Sequence, residues 1–193
     1  MGQEQPNFNM PEKSDSKNEK EIEIELADPK DSKEIYEVKK TSWLATYSAP
    51  EYGLTKEDVQ QKDFFNKVEK LQGRLERGEA QSWVVKSEEK IVGFCTGVKG
   101  EEFNILHAFH ILPEFQGRGI GKQLIEKVLE WLGDEKPIIV DVAEQNERAI
   151  HIYEKYGFVQ NKDSPKPIME TFSNGKQIVN YQMIRPGRLE MLE

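Results

Sequence analysis

Cysteine is almost absent from this chain of 193 residues, which contains only Cys95. A single cysteine excludes an intrachain disulfide framework and is typical of a reducing compartment. The three histidines, His107, His110 and His151, do not have the spacing of a metal-binding motif such as HExxH. We therefore expect no metal site, and we interpret Cys95, which lies in an apolar run, as a small buried hydrophobic residue.

Long apolar runs and an excess of positive charge are also missing. No stretch is apolar for long enough to span a membrane, and the N-terminus is too polar for a signal peptide. Acidic residues outnumber basic ones by 35 to 27, which gives a formal charge of −8. This balance disfavours nucleic acid and anionic membranes as partners and suits a cationic substrate. We expect a cytoplasmic protein with no nucleic-acid or membrane partner.

The distribution of polar and apolar residues divides the chain into three segments. Residues 1–20 are polar with almost no apolar periodicity, which predicts a disordered tail. Residues 21–187 have the length of one domain, and residues 188–193 form a short C-terminal tail. Strict alternation over residues 21–26 predicts that the domain begins with a half-buried strand.

Within the domain, hydrophobic periodicity predicts the order β-α-α-β-β-β-α-β-α-β-β. The predicted helices span residues 31–46, 55–77, 120–132 and 146–156. The predicted strands span residues 21–26, 82–86, 90–98, 104–111, 138–142, 158–161 and 177–184. This order predicts a single mixed α/β (α+β) domain with one sheet of about seven strands and about four flanking helices.

The most informative segment is the glycine-rich run QGRGIGK at residues 116–122, between a predicted strand and an amphipathic helix. Such a loop binds a phosphate or pyrophosphate through backbone N–H groups and the positive end of the helix dipole. Glycine allows both the unusual dihedral angles and the close approach of a ligand to the backbone. The run is not GxGxxG, and Gln123 stands where a P-loop needs Ser or Thr. A P-loop or Rossmann nucleotide-binding protein is therefore disfavoured.

Two motifs in sequence order resemble the GNAT superfamily of acetyl-CoA-dependent N-acetyltransferases. The first matches the family signature and reads Gln116-Gly117-Arg118-Gly119-Ile120-Gly121. The second follows on the next predicted helix and consists of Asn146, Ala149, Ile152-Tyr153-Glu154-Lys155 and Gly157-Phe158. The resemblance covers about residues 21–186. It implies a mostly antiparallel, twisted sheet whose central strands splay apart at the cofactor site, and acetyl-CoA as the acetyl donor.

The resemblance assigns cofactor contacts to three parts of the chain. The backbone of Phe109, His110 and Ile111 would contact the pantetheine arm and the acetyl carbonyl. The signature loop would hold the pyrophosphate through Gln116, Gly117, Arg118, Gly119, Ile120, Gly121 and Lys122. The charges of Arg118 and Lys122 either add to this binding or are simply solvated. Asn146 would contact the cofactor arm, and its place at a helix start also predicts an N-cap.

Acetyl transfer to an amine needs a proton donor for the departing thiolate. The resemblance implies that Tyr153 is this donor, because it matches the family position where a tyrosine hydroxyl approaches the CoA sulfur. The spacing of Tyr153 relative to Ala149, Ile152 and Tyr156 is also that of an ordinary core aromatic. We interpret Tyr156 as a packing residue.

The acceptor amine must also lose a proton, since an alkylammonium is nearly all charged at neutral pH. Asp141 aligns with a catalytic glutamate of the ribosomal-protein N-terminal acetyltransferases, and the resemblance implies that it is the base, with a bridging water because its side chain is shorter. His107, His110 or an ordered water are alternatives. The two histidines lie three residues apart, so a regular strand would point them to opposite faces.

The sequence therefore predicts direct attack of an acceptor amine on acetyl-CoA, without a covalent enzyme intermediate, because Cys95 matches no nucleophile position. The predicted acceptor is a small cationic molecule, such as a polyamine, or a peptide N-terminus. The alternative is a non-catalytic acyl-CoA-binding regulatory module of the same fold, which the presence of Tyr153 disfavours. A homodimer is compatible with the sequence.

Overall fold

A computed structural model of the chain describes residues 21–48, 52–60, 66–164, 168–172 and 175–188. The predicted tail at residues 1–20, and all but the first residue of the predicted C-terminal tail, lie outside this part. The strands are β1 (Ile22–Leu26), β2 (Ala80–Ser87), β3 (Lys90–Val98), β4 (Asn104–Ile111), β5 (Ile138–Ala143), β6 (Val159–Gln160), β7 (Ile168–Thr171) and β8 (Gln177–Arg185). The helices are α1 (Ser32–Tyr47), α2 (Lys56–Gln60), α3 (Asn66–Glu76), α4 (Ile120–Leu132) and α5 (Glu147–Lys155).

The eight described strands form one sheet in the order β1-β2-β3-β4-β5-β8-β6, with β7 pairing with β8. All pairs are antiparallel except β4–β5. That parallel pair is short, because it joins only Asn104 to Ile138 and Ile105 to Ile139. Beyond it, β4 pairs only with β3, while β5 continues against β8. We call the wedge between residues 106–111 of β4 and 140–143 of β5 the central gap.

Helix α4 covers one face of the sheet, which we call the α4 face. Its apolar residues recur at helical spacing and are buried: Ile120, Leu124, Ile125, Val128, Leu129 and Leu132. They pack in one cluster with Val85, Cys95 and Leu106 of the sheet and with Tyr153 of α5. This cluster is the main core of the domain, and it places α5 beside the central gap.

The opposite face, which we call the α1 face, is covered by α1 and α3. Ile35 and Val38 of α1 and Leu71 of α3 pack against Val84 and Phe94 of the sheet. A smaller cluster at the other end of this face joins Leu54, Ala143, Phe172 and Ile178. The sheet is therefore buried on both sides, and the central gap opens between two helical layers.

The prediction of a mixed α/β domain around one mostly antiparallel, splayed sheet is confirmed. Two elements differ from the prediction. The helix predicted over residues 55–77 is described as α2 and α3, with residues 61–65 between them outside the described part. Strand β7 lies in a stretch predicted to consist of turns, because its four residues become a strand only by pairing with β8, a contact that local pattern does not reveal. None of the described helices is both long and apolar enough to cross a bilayer.

The α4 packing predicts a large stability effect from one truncation. Leu124 is fully buried in the main core, so Leu124→Ala should lower the free energy of unfolding by about 2–5 kcal/mol in urea denaturation. The neighbouring Gln123 is exposed, and Gln123→Ala should change the same quantity by less than about 0.5 kcal/mol. Equal effects of the two substitutions would contradict this placement of α4.

Candidate functional site

A β-bulge in β4 sets the direction of the side chains beside the central gap. Thr96 of β3 pairs with Ala108, but the next residue, Gly97, pairs with Leu106. His107 is therefore an extra residue opposite β3, and the regular alternation of side chains is broken there. The register after the bulge decides which groups of β4 reach which face.

Both histidines of β4 lie on the α1 face. His110 Nδ1 is 3.3 Å from Ser42 Oγ of α1, and the ring centroids of His110 and Phe94 are 5.4 Å apart. The charged group with the largest effect on His107 is Lys39, which also belongs to α1. The expectation of opposite faces is therefore wrong, and the bulge is the physical reason, because it adds one residue between the two histidines.

Burial lowers the pKa of His110 to about 3, with a smaller contribution from Lys39. Desolvation followed by the charge of Lys39 also lowers the pKa of His107 to about 4. The His107 side chain keeps contact with solvent, and hydration of the imidazolium opposes this lowering. Both rings are neutral at pH 7, so either can accept a proton, although a low pKa makes a weak base.

The backbone of β4 presents hydrogen-bonding groups to the central gap. The N–H of Leu112 donates to the carbonyl of Val92 in β3 at 2.9 Å. Because backbone groups alternate between the two sides of a strand, those of His110 also face β3, whereas those of Phe109 and Ile111 face the central gap. Of the three residues expected to contact the cofactor through their backbone, Phe109 and Ile111 therefore face the central gap, whereas His110 faces β3.

The glycine-rich loop follows directly after β4. Gly117 and Gly119 have φ angles of +80° and +77°, which glycine adopts without the strain of a side chain. A Cβ atom on Gly121 would lie 3.1 Å from Cζ of Phe109, so the first turn of α4 packs closely against β4. Within the described part of the chain, the backbone N–H groups of residues 117–122 have no acceptor. Together with the helix dipole, these free donors are of the kind that bind anions in other proteins, and the pyrophosphate contact stays a prediction.

Arg148 is a site residue that the sequence interpretation missed. Its guanidinium donates to Oε1 of Gln116, and Nε2 of Gln116 donates to the carbonyl of Ile111 at 2.8 Å. This chain of hydrogen bonds joins α5 to the loop and to the end of β4. The available signal was a basic residue two positions after Asn146 in the second motif, but its partner depends on how α5 packs.

The two charged residues of the loop lie on the surface. Nη2 of Arg118 donates to the carbonyl of Glu114 at 3.0 Å, and its guanidinium lies 5.1 Å from the ring centroid of Phe115. Nζ of Lys122 is 3.9 Å from Oε1 of Glu126, and its side chain is 73% exposed. An exposed pair of this kind contributes little to stability, so Lys122 remains accessible to an anionic ligand.

Asn146 caps α5, as its position predicts. Its Oδ1 atom accepts a hydrogen bond from the N–H of Ala149 at 3.1 Å. Among the described residues, no group accepts a hydrogen bond from its amide nitrogen, which leaves that donor for a ligand. The capping role is confirmed, and the cofactor contact stays a prediction.

Tyr153 lies at the border of the main core. It is 7% exposed, and its ring centroid is 5.8 Å from that of Phe158. Burial raises the pKa of Tyr153 above its usual range, and Cys95 and Tyr47 add to the effect. A phenol with a raised pKa is fully protonated at neutral pH, as a proton donor must be. Tyr153 is thus a core aromatic by packing, which is compatible with the predicted catalytic role. Tyr156 packs against the outside of the same cluster.

Asp141 lies on the α1 face, like the two histidines. Its neighbours in alternation, Val140 and Val142, are buried in the main core on the α4 face, so Asp141 points the other way. Nε2 of Gln182 in β8 is 3.4 Å from Oδ1 of Asp141. The Asp141 side chain is exposed to solvent. Partial desolvation raises the pKa of Asp141 and the contact with Gln182 lowers it, while hydration of the exposed carboxylate opposes the upward shift. The net upward shift makes the carboxylate a better general base.

The site contains no alternative nucleophile or metal centre in the described ranges. Cys95 is fully buried, as predicted, and burial raises the pKa of its thiol, which keeps the sulfur protonated and unreactive. No described group of three or more His, Cys, Asp or Glu residues is arranged to hold a metal ion.

Comparison with known proteins gives one family. The model of the acetyltransferase (GNAT) family matches residues 33–158. The spermidine N(1)-acetyltransferase of Vibrio cholerae is 29% identical over 122 residues, which are 58% of this chain and 67% of that protein. Two other curated relatives are matched over less than half of their own length.

Solved structures share the fold. The PaiA N-acetyltransferase of Thermoplasma acidophilum, in complex with coenzyme A, has a TM-score of 0.59 at 19% identity, over 86% of this chain and 99% of that one. The ribosomal-protein-S18-alanine N-acetyltransferase of Escherichia coli has a TM-score of 0.56 at 16% identity, over 86% and 94% of the two chains. At these identities the likeness concerns the fold alone.

The environment of His110 predicts a pH-dependent stability. Its pKa is lower in the folded protein than in the unfolded chain, so its contribution is present above about pH 6.5 and is lost as the pH falls toward 3. The free energy of unfolding of the wild type should fall by up to about 2 kcal/mol more than that of His110→Gln between pH 7 and pH 5. Urea denaturation at both pH values measures this difference. An NMR titration in which the His110 ring protonates near pH 6.5 would contradict it.

Proposed function

The chain belongs to the acetyltransferase (GNAT) family, and from this premise we propose that it transfers an acetyl group from acetyl-CoA to the primary amine of a small cationic molecule. Residues 21–187 would form the catalytic domain. The observation that carries the proposal is the central gap, which leads to a glycine-rich loop with six consecutive N–H groups that have no acceptor in the described chain. Asp141 belongs to β5 and Tyr153 to α5, the strand and the helix that come after α4 in the chain.

The residues present fit the donor molecule. The N–H groups of residues 117–122 suit a pyrophosphate, and a Cβ atom on Gly117 or Gly119 would meet nothing within 4 Å, so the loop is open at these two positions. Backbone groups of Phe109 and Ile111 face the central gap, where they would pair with the amides of an extended pantetheine arm. The backbone of His110 faces β3 and its ring faces α1, which supports a role for His110 beside the acceptor. Acetyl-CoA supplies the acetyl group as a thioester.

The proposed proton transfers use groups on both faces. Asp141, on the α1 face, accepts a proton from the acceptor ammonium, directly or through a water, and its raised pKa favours this step. The N–H groups of β4 that face the central gap stabilise the negative charge on the carbonyl oxygen. Tyr153 then donates its phenolic proton to the departing thiolate. The amine nitrogen forms the new bond to the acetyl carbon as the carbon–sulfur bond breaks. The nitrogen then releases its second proton to solvent, and the Tyr153 phenolate takes up a proton from solvent, which restores the phenol.

Two observations support a cationic acceptor. The chain carries a net charge of −8, and a relative that is 29% identical is a spermidine N(1)-acetyltransferase. The carboxylate of Asp141 on the α1 face would also attract an ammonium group.

A second candidate acceptor is a peptide N-terminus with an acidic group close to the amine. The charged neighbours of His107 on the α1 face are basic, with Lys39 first and Arg74 second. Such charges would bind a carboxylate and repel a polyamine. The Escherichia coli protein with the same fold is named a ribosomal-protein-S18-alanine N-acetyltransferase. A comparison of the activities toward polyamines and toward acidic peptides therefore shows whether the carboxylate of Asp141 or the basic neighbours of His107 dominate the charge of the α1 face.

The proposal predicts acceptor-dependent release of free thiol from acetyl-CoA. A panel of polyamines, amino acids, basic peptides and acidic peptides should give turnover with one class, with polyamines expected first. Tyr153→Phe should lower kcat at least tenfold, because the departing thiolate loses its proton donor. Tyr156→Phe, at the C-cap of the same helix and outside the main core, is the matched control. Because Cys95 is buried, the native protein should add no background in a thiol assay.

Two results would contradict this assignment. Tight binding of acetyl-CoA without acceptor-dependent thiol release would leave the non-catalytic acyl-CoA-binding module as the better hypothesis. Full turnover in Tyr153→Phe would show that another group or water protonates the thiolate.

The link between Arg148 and Gln116 predicts a selective effect on the donor. Arg148→Ala removes the hydrogen bond that orients Gln116 beside the loop, so the KM for acetyl-CoA should rise about tenfold with little change in kcat. Lys155→Ala changes a charge at the other end of α5 and serves as the control. An equal change of KM in both variants would indicate a general charge effect.

A further inference from the structure

A groove lies outside the central gap, at the end of the sheet where the β2–β3 turn meets α1 and the end of β4. Its lining includes acidic, hydroxyl and apolar side chains. We call it the hairpin groove and define it by Glu34, Glu37, Ser87, Glu88, Leu112 and Phe115. None of these residues has a role in the acetyl transfer proposed above.

The hairpin groove is acidic. Lys90 is the one basic residue among its described lining. The carboxylates that line it are those of Glu34, Glu37, Glu88 and Glu114. Oε1 of Glu34 accepts a hydrogen bond from the N–H of Ile91 at 2.9 Å, which holds that carboxylate at the groove. Four carboxylates around one groove favour a positively charged ligand over an anionic one.

A buried hydroxyl in the same groove has no partner. Ser87 is 4% exposed, and its Oγ atom is buried without a hydrogen bond to any described residue. Leaving a buried hydroxyl unsatisfied is unfavourable, so native structures rarely do so. Oγ of Ser87 is closed to solvent, so an N–H donor in the groove reaches it only when the Ser87 side chain rotates toward the groove, where Oγ would accept the hydrogen bond. This observation is independent of the carboxylates and indicates the same chemistry.

The turn that presents Glu88 is an unusual one for its residues. Glu88 and Glu89 have φ angles of +51° and +65°, in the left-handed region where hairpin turns usually carry Asn and Gly. Two glutamates there destabilise the turn, because the Cβ atom of an L-residue crowds the backbone in this region. The sequence thus keeps a carboxylate at the groove in a conformation that other residues adopt more easily.

The remaining wall of the hairpin groove is apolar. Val38, Leu112 and Phe115 contribute hydrocarbon surface next to the carboxylates. Methylene groups pack well on such a surface, whereas a hydrated metal ion gains nothing from it. We propose that the hairpin groove binds a small primary alkylamine or diamine, with its ammonium at Ser87 and the glutamates and its carbon chain on the apolar wall. This binding site is separate from the acceptor site and does not depend on the proposed reaction.

A titration with 1,4-diaminobutane in the absence of acetyl-CoA tests the proposal. The amide resonances of residues 87–91 in a ¹H–¹⁵N NMR spectrum should shift and saturate with a single Kd. Ser87→Ala and Glu37→Gln should each raise this Kd at least threefold, because each removes one of the groups that meet the ammonium. Glu130→Gln changes an exposed carboxylate on α4 and should leave the Kd unchanged. The same titration of Asp141→Asn should keep the shifts of residues 87–91, because Asp141 lies beside the central gap.

Three outcomes would overturn the proposal. The first is a linear growth of the shifts of residues 87–91 without saturation, as general attraction to an acidic surface gives. The second is a Kd in Ser87→Ala and Glu37→Gln equal to that of the wild type. The third is the absence of shifts at residues 87–91 together with shifts at residues of the central gap, which would place the amine site there. Loss of turnover in Tyr153→Phe bears on the proposed reaction alone, so the two proposals fail separately.

Discussion

The fold and the candidate site both depend on how briefly β4 and β5 pair. Asn104 fixes the meeting point of these strands, because its N–H donates to the carbonyl of Pro137 at 2.8 Å and its amide donates to the carbonyl of Leu132 at 2.9 Å. Asn104 is buried, so these bonds are shielded from water and any loss leaves unsatisfied groups. The strands share only two residue pairs from this point and then diverge. The divergence leaves backbone groups of β4 facing the central gap instead of a neighbouring strand.

Each face of the sheet contributes different chemistry to the central gap. On the α4 face, burial keeps Tyr153 protonated and Cys95 unreactive. On the α1 face, burial keeps His110 neutral and raises the pKa of Asp141. The same physical cause, desolvation by the two helical layers, therefore favours proton donors on one side and proton acceptors on the other. Such a separation suits a reaction in which one proton leaves the acceptor and another reaches a thiolate.

Much of this arrangement was predictable from local pattern. The glycines of the loop, the apolar stripe of α4, the cap at Asn146 and the alternation around Asp141 all follow from residue type and spacing. The bulge at His107 was not predictable, because it depends on the register between β3 and β4. Nor was the partner of Arg148, since α5 and the loop are distant in sequence and meet only through the core. Strand β7 was missed for the same reason, because it depends on pairing with β8.

The sequence by itself determined most element types, the mixed α/β class and the family, because periodicity, glycine positions and two spaced motifs are local properties of the chain. Strand β7 is the exception, because it depends on pairing with β8. Tertiary structure decided which groups meet. It brought both histidines to one face and joined Arg148 to Gln116. It also left the hydroxyl of Ser87 without a partner among the described residues and gathered carboxylates from α1 and the β2–β3 turn into one groove. The reason is physical: hydrogen-bond partners, burial and pKa shifts depend on distances between residues that are far apart in sequence, and only the packed sheet and helices set those distances.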